Sequence, residues 1–156
     1  NGMGVFIQYN LTGRGWAECI LEIDDQKITV TASYLSDALA DLLDAVVSIV
    51  RGANEARAKF QEEPGEYRWI FTRLPPDKSR ICILWFSNTF ISTKLDIEGE
   101  KAFETECRIR TFAEAILSAS QRVLEVNGIE GYQEKWVDYK FPIQLQAKLK
   151  KALKNK

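Results

Sequence analysis

Between Ser33 and Gly52 lies a segment too apolar to rest on the surface of a protein. Leu35, Leu39, Leu42, Leu43, Val46, Val47, Ile49 and Val50 recur at helical spacing and cover more than half the circumference. A helix of that kind has to lie deep against other structure. Ser33 or Ser36 can cap it, Asp37 favours its first turn, and Gly52 can end it in the left-handed conformation that other residues resist. Asp37, Asp41 and Asp44 mark its one wet stripe.

What surrounds the helix alternates with a period of two. Residues 4–10 read as a short strand, with Leu11 to Gly15 as a turn. In WAECILEI, Trp16, Cys19, Leu21 and Ile23 fall on one side, with Glu18 and Glu22 on the other, as in a half-buried strand. Asp24-Asp25-Gln26 turns the chain into Lys27 to Thr31. Residues 55–62 fit either a continued helix or a strand, and the alternation Ala56, Ala58, Phe60 favours strand. Glu63-Pro64-Gly65-Glu66 is a turn, with proline expected at the first central position and glycine freeing the second. Tyr67 to Arg73 alternates aromatic and polar residues, Leu74-Pro75-Pro76-Asp77 breaks it, and RICILWF, Arg80 to Phe86, is apolar enough to be a central strand. Thr93 to Glu100 is polar and reads as a surface loop, with Ala102 to Cys107 as a further strand.

From Thr111 to Asn127 a second helix is expected, with Phe112, Ala115, Ile116, Ala119, Val123 and Val126 on one face and Gly128 as its stop. Gly131 to Phe141 reads as an aromatic connector whose Trp136 and Tyr139 fit a core or an interface equally. Pro142 opens a third helix reaching about Lys154. Adjacent strands joined by short turns imply an α+β fold: a mostly antiparallel sheet with two or three helices packed on one face. No repeat or linker divides the chain, so 1–156 is expected to be one domain. A globule of this size buries roughly two thirds of its unfolded surface, enough for a core without staples.

Several function classes are disfavoured at once. The chain has no histidine, which removes the commonest general base, the Ser/His and Cys/His nucleophile pairs, and most zinc arrangements. Cys19, Cys82 and Cys107 are odd in number and widely spaced, which argues against a disulfide framework or a thiolate metal site. Cys19 and Cys82 sit in apolar runs where a buried reduced thiol is expected, whereas Cys107 lies beside Glu106 and Arg108. No enzyme activity, cofactor or metal is therefore expected. No apolar run approaches the ~20 residues that span a bilayer. Met3, the lone methionine, reads as the native start, with Asn1 and Gly2 left from cloning. A cytoplasmic protein is the expectation.

Charge is unevenly distributed. From residue 140 onward there are six lysines (140, 148, 150, 151, 154 and 156) and no acid, so with a total of −1 the rest of the chain carries −7. An acidic body suits a cationic protein partner. A lysine-rich end can touch nucleic acid or an anionic surface, or simply keep a helix soluble and complement its C-terminal dipole. The candidate binding acids are Glu62, Glu63 and Glu66, beside Tyr67 and Trp69, and Asp96, Glu98 and Glu100 in the later loop. The latter three alternate like the start of a calcium loop, but the glycine and the distal glutamate are out of place. Leu11 to Gly15 lacks the Gly-Lys-Ser/Thr of a phosphate cradle.

SYLSDAL at 33–39 and EPGEYRW at 63–69 resemble motifs of a family of small, largely uncharacterised bacterial proteins, most clearly from about Gly15 to Phe86. Such small acidic α+β proteins are similar in class to immunity proteins of bacterial toxin systems, including contact-dependent growth inhibition. That resemblance implies a non-catalytic module that binds and neutralises a cognate toxin, such as a basic nuclease domain. It assigns no binding residue.

Overall fold

The computed structural model describes residues 4–155; the expected start at Met3 and the last lysine, Lys156, lie outside them. Three strands, β1 (Val5–Gly13), β2 (Trp16–Ile23) and β3 (Gln26–Ser33), form one antiparallel meander. Helix α1 (Ala38–Val50) leads to a second meander of β4 (Glu55–Gln61), β5 (Glu66–Leu74), β6 (Lys78–Phe86) and β7 (Glu100–Arg108). Helices α2 (Ile109–Trp136) and α3 (Ile143–Lys154) complete the chain. The α+β class and antiparallel pairing are as expected, but the strands divide into two sheets. Arg80 to Phe86 lies in β6, between β5 and β7.

The division follows from α1. Nine of its 13 residues are buried, and it packs against β4, β5, α2 and α3 together. Each fully buried leucine, valine or isoleucine contributes about 1.5–3 kcal/mol relative to exposure, so enclosure on several sides outweighs a single continuous sheet. Gly52, at φ +113°, closes the helix: its N–H donates to Ile49 O and the Ala53 N–H to Ser48 O. No base stands in the last turn of α1, and Arg73 of β5 supplies the cation, donating to the carbonyls of Ala53 at 3.1 Å and of Ile49.

Neither serine caps α1. Asp37 holds the N-cap position, and the serines join the two sheets. Ser33 Oγ donates to Gln61 O at 3.1 Å, and the Gln61 N–H donates to Ser36 Oγ at 3.0 Å. Gln61 Nε2 then donates to the carbonyls of Glu62 and Gly65 at 3.0 and 2.8 Å, which holds the β4–β5 turn. The Glu63–Pro64 peptide in that turn is cis, and Gly65 is not left-handed. Glycine is required there by close approach: a Cβ would stand 2.4 Å from both Phe86 O and the Trp85 ring.

Five further expectations are corrected. Trp16 lies exposed on the outer face with Glu22, because Ala17, Cys19, Leu21 and Ile23 point to the core. Leu35 is exposed because α1 begins only at Ala38. Gly128 breaks the second helix at φ 73°, ψ 171° without ending it; the helix resumes to Trp136, and Val126 beside the break is exposed. Tyr132, Trp136 and Phe141 are core residues, with Tyr139 partly buried against them, so most of the expected connector is helix. Among the thiols it is Cys82 that is half-buried, while burial pushes Cys19 and Cys107 up to about 12.

Two predictions test this packing. On α3 the exposed Lys148, Lys150, Lys151 and Lys154 alternate with buried Leu149, Ala152 and Leu153. Loss of a buried leucine costs about 2–5 kcal/mol against a total of about 5–15. Truncation after Ala147 should therefore unfold the domain in thermal melts. Replacing those four lysines with glutamine should change stability by less than about 0.5 kcal/mol.

The second prediction concerns Asp37, whose Oδ1 is buried with no hydrogen-bond partner among the described residues. Desolvation, reinforced by nearby Asp41, raises its carboxyl from 3.8 to about 6. Folding therefore takes up a proton: this stabilisation is complete below about pH 4 and is lost as pH rises through about 6. Full linkage for such a shift is about 3 kcal/mol, and solvent access to the side chain reduces the expectation to about 1–2 kcal/mol. Urea denaturation at pH 7.5 should show Asp37→Asn more stable by that amount, with the difference shrinking towards pH 4. An unchanged pH profile would remove Asp37 from the account.

Candidate functional site

The acids in the turn and those in the later loop converge on one end of the four-stranded sheet. Glu66 pairs across β5 and β6 with Phe86, and Glu100 pairs with Trp85, so both acidic stretches leave the sheet at the same edge. The connection from Ser87 to Gly99 folds back over the outer face. The Thr89 N–H donates to Pro64 O at 2.9 Å, and a Cβ at Gly99 would stand 2.6 Å from the Phe86 ring. This covering, with Arg68 lying over the ring, explains why Phe86, which points away from the main core, is nevertheless buried.

Asp96 fastens the connection. Arg57 of β4 grips both its oxygens, Nη1 to Oδ1 at 3.0 Å and Nη2 to Oδ2 at 2.6 Å, while Arg68 Nη1 of β5 reaches Oδ1 at 2.8 Å. Arg68 is itself held by Glu66 at 2.9 Å and lies 4.2 Å over the Phe86 ring centre. Alternation along β4 and β5 puts Arg57 and Arg68 on the same outer face, which is why one aspartate can meet both. Hydrogen bonds from the two guanidinium groups lower the Asp96 carboxyl from 3.8 to about 2. It stays ionised throughout the physiological range, and the clamp loosens only as pH falls towards that value.

The six expected acids therefore separate by role. Glu66, buried, and Asp96 are engaged by arginines. Glu62 turns towards β3, accepting from Thr31 Oγ1 and from the Glu63 N–H. Glu98 accepts the Leu95 N–H at 2.6 Å yet remains exposed. Glu63 and Glu100 are exposed, and no salt bridge engages either one or Glu98 among the described residues. Glu62 and Glu66 do not share a carboxylate site, since Glu62 is held towards Thr31 and Glu66 is held by Arg68.

Two depressions flank the clamp. One, about 310 Å³, is lined by Asp41, Arg57, Lys59, Glu66, Arg68 and Thr93. Burial raises the Asp41 carboxyl, while a 3.0 Å hydrogen bond from the Lys59 N–H opposes the shift. The other, about 320 Å³, lies among Trp85, Phe86, Lys94, Glu98 and Glu100. A third, about 420 Å³, opens at the opposite end beside Arg73, Arg108 and Arg110. Two of those arginines serve helix ends, since Arg110 donates to Leu153 O at 2.9 Å and Arg73 closes α1. Among the described residues no three acids or cysteines come together as metal ligands. No helix there is long and apolar enough to cross a membrane.

Charge alone singled out the acids and passed over what surrounds them. Arg57 lies in no motif and Arg68 stands in EPGEYRW without a role being legible there; what the two do follows only from the fold. Phe90, Ile91, Leu95 and Ile97 did leave a signal: large apolar residues in a stretch of loop composition, matching neither a helical nor a strand period. All four are exposed.

If Asp96 fastens the connection, Asp96→Asn should release it. Hydrogen exchange across 87–99 is expected to accelerate by tenfold or more, about 1.4 kcal/mol of local stability, with global stability falling by less than about 1 kcal/mol. Equal protection in the variant would show that the loop is held by other contacts.

No family model and no curated protein matches the chain, so the two motifs stand on their physical account as seam and turn. Among solved structures, a chain of the CdiA-CT/CdiI toxin and immunity complex from Enterobacter cloacae is similar. It shows 12% identity and a TM-score of 0.43, with 76% of this chain and 99% of that one covered. A likeness at this level carries no argument about fold or function.

Proposed function

We propose that this chain is a non-catalytic protein-binding module that neutralises a cognate bacterial toxin in the manner of an immunity protein. The observation supporting it is the set of exposed acids, Glu63, Glu98 and Glu100, gathered at one end of the molecule beside a loop fastened from beneath. Fixed charges on a braced surface lose little freedom when a partner arrives. A toxin that acts on nucleic acid needs a cationic surface for phosphates. An acidic inhibitor can reach such a surface quickly and cover it without chemistry of its own. The acids already held by arginine are less suited to that role, because a partner would have to break existing pairs.

The test is affinity capture with the tagged protein from the organism that encodes it, followed by kinetics with the captured protein. A one-to-one complex with a basic toxin domain is expected, with an association rate that falls as salt rises. Reversing Glu63 and Glu98 to lysine together should slow association about tenfold and change dissociation little. Failure to retain any stoichiometric partner at low salt would overturn the reading.

A further inference from the structure

Steering by charge does not explain the shape of the 87–99 connection. Phe90, Ile91, Leu95 and Ile97 are 56, 84, 70 and 90% exposed, the densest run of exposed large apolar side chains among the described residues. Scattered exposed apolar residues need no explanation, but a contiguous group does. The connection already covers Phe86 and could have turned more of its apolar side chains down onto the sheet. Instead the polar residue faces inward: Asp96 is clamped to Arg57 and Arg68, and its neighbours Leu95 and Ile97 face solvent. Phe90 is held out at the other end, where Thr89 is tied to the β4–β5 turn and the Phe90 N–H donates to Asn88 Oδ1 at 3.0 Å.

We propose that Phe90, Ile91, Leu95 and Ile97 are the anchor of the protein-binding surface, and that they dock into an apolar recess with a cationic rim on the partner. The inference rests on the protein-binding reading above and adds a division of labour: the apolar residues hold, and the acids steer. The charges beside the anchor favour that occupant. Glu63, Glu98 and Glu100 are exposed around it, and no salt bridge engages them among the described residues. Of the cations beside it, Arg57 is paired with Glu55 and Asp96, Lys101 is paired with Glu104 at 2.7 Å, Lys94 is half-buried, and exposed Lys59 stands across the depression at Thr93. A second copy of this chain would bring the same acids face to face, which opposes self-association through this surface. An apolar centre with a charged rim is the arrangement in which a few central side chains carry most of the binding.

The test places a photo-crosslinking benzoylphenylalanine at Ile97 or, as a control of similar exposure on α2, at Val126. Each protein is irradiated in an extract of the encoding organism, and adducts are identified by mass spectrometry. A single adduct from position 97 with a protein bearing a basic surface, absent from position 126, is expected. With that partner purified, Phe90→Ser combined with Ile97→Ser should weaken binding about 30-fold or more, through faster dissociation with association nearly unchanged. Both sites are exposed, so the double variant should keep the wild-type melting temperature. Adducts joining two copies of this chain, adducts only from position 126, or a double variant with unchanged dissociation would each overturn the anchor while leaving a wild-type complex intact. Absence of any wild-type complex would instead remove the protein-binding reading on which the anchor rests.

Discussion

Helix α1 is the constraint to which the remaining elements answer. A 13-residue helix with only one narrow polar stripe cannot be covered by one sheet face, because a sheet reaches one side of a cylinder. β4 and β5 cover one side, and α2 and α3 close over others. This is why α3, with four lysines along it, still sends Leu149 and Leu153 into the core. The polar ends of α1 are managed separately. Asp37 sits at the N-cap at an electrostatic cost set by its burial, and Arg73 reaches the C-terminal carbonyls from a neighbouring strand.

Enclosing the helix also creates a seam, since the chain must leave one sheet, traverse α1 and begin another. The gap is bridged by side chains, not by a strand ladder. Ser33 and Ser36 bond the end of β4, and Gln61 carries the connection on to the turn at Gly65. The two most distinctive stretches of the sequence, SYLSDAL and EPGEYRW, are the two sides of this one junction. Hydroxyls serve there because each can donate and accept in the same place. Glycine serves because the chain passes directly against Phe86 and Trp85.

Much of this was legible in the residues, and the exceptions share a cause. Local patterning marked a segment at each of the seven described strands, although 55–62 fitted helix or strand and β1 runs on to Gly13 where a turn was expected from Leu11, and it found the apolar helix with its Gly52 stop. It misplaced Trp16, because one large apolar residue at a strand start outweighed the alternation of Ala17, Cys19 and Leu21, in which the alanine is too small to register. It ended the second helix at Gly128, where the backbone does leave helical geometry, but it could not see that Tyr132 and Trp136 would be drawn into the core and carry the helix onward. The serines looked like caps because a cap and a cross-sheet hydrogen bond require the same short polar side chain. For the site, composition revealed where acid accumulates and could not show which acids are already engaged, since Arg57 and Arg68 lie 39 and 28 residues from Asp96.

That last distinction changes what the acidic surface can do. A carboxylate held by two guanidinium groups is unavailable to a partner, yet it fixes everything attached to it. Turning Asp96 inward requires its neighbours to turn outward, so the same contacts that remove one charge from recognition present Leu95 and Ile97 to solvent. A flexible loop with these side chains would tend to collapse onto the nearest apolar surface, and ordering it on binding would cost free energy. Fastened at Asp96 and at Thr89, it meets solvent already ordered, with uncommitted acids beside it. The sheet beneath contributes to recognition by supplying the arginines that hold this arrangement in place.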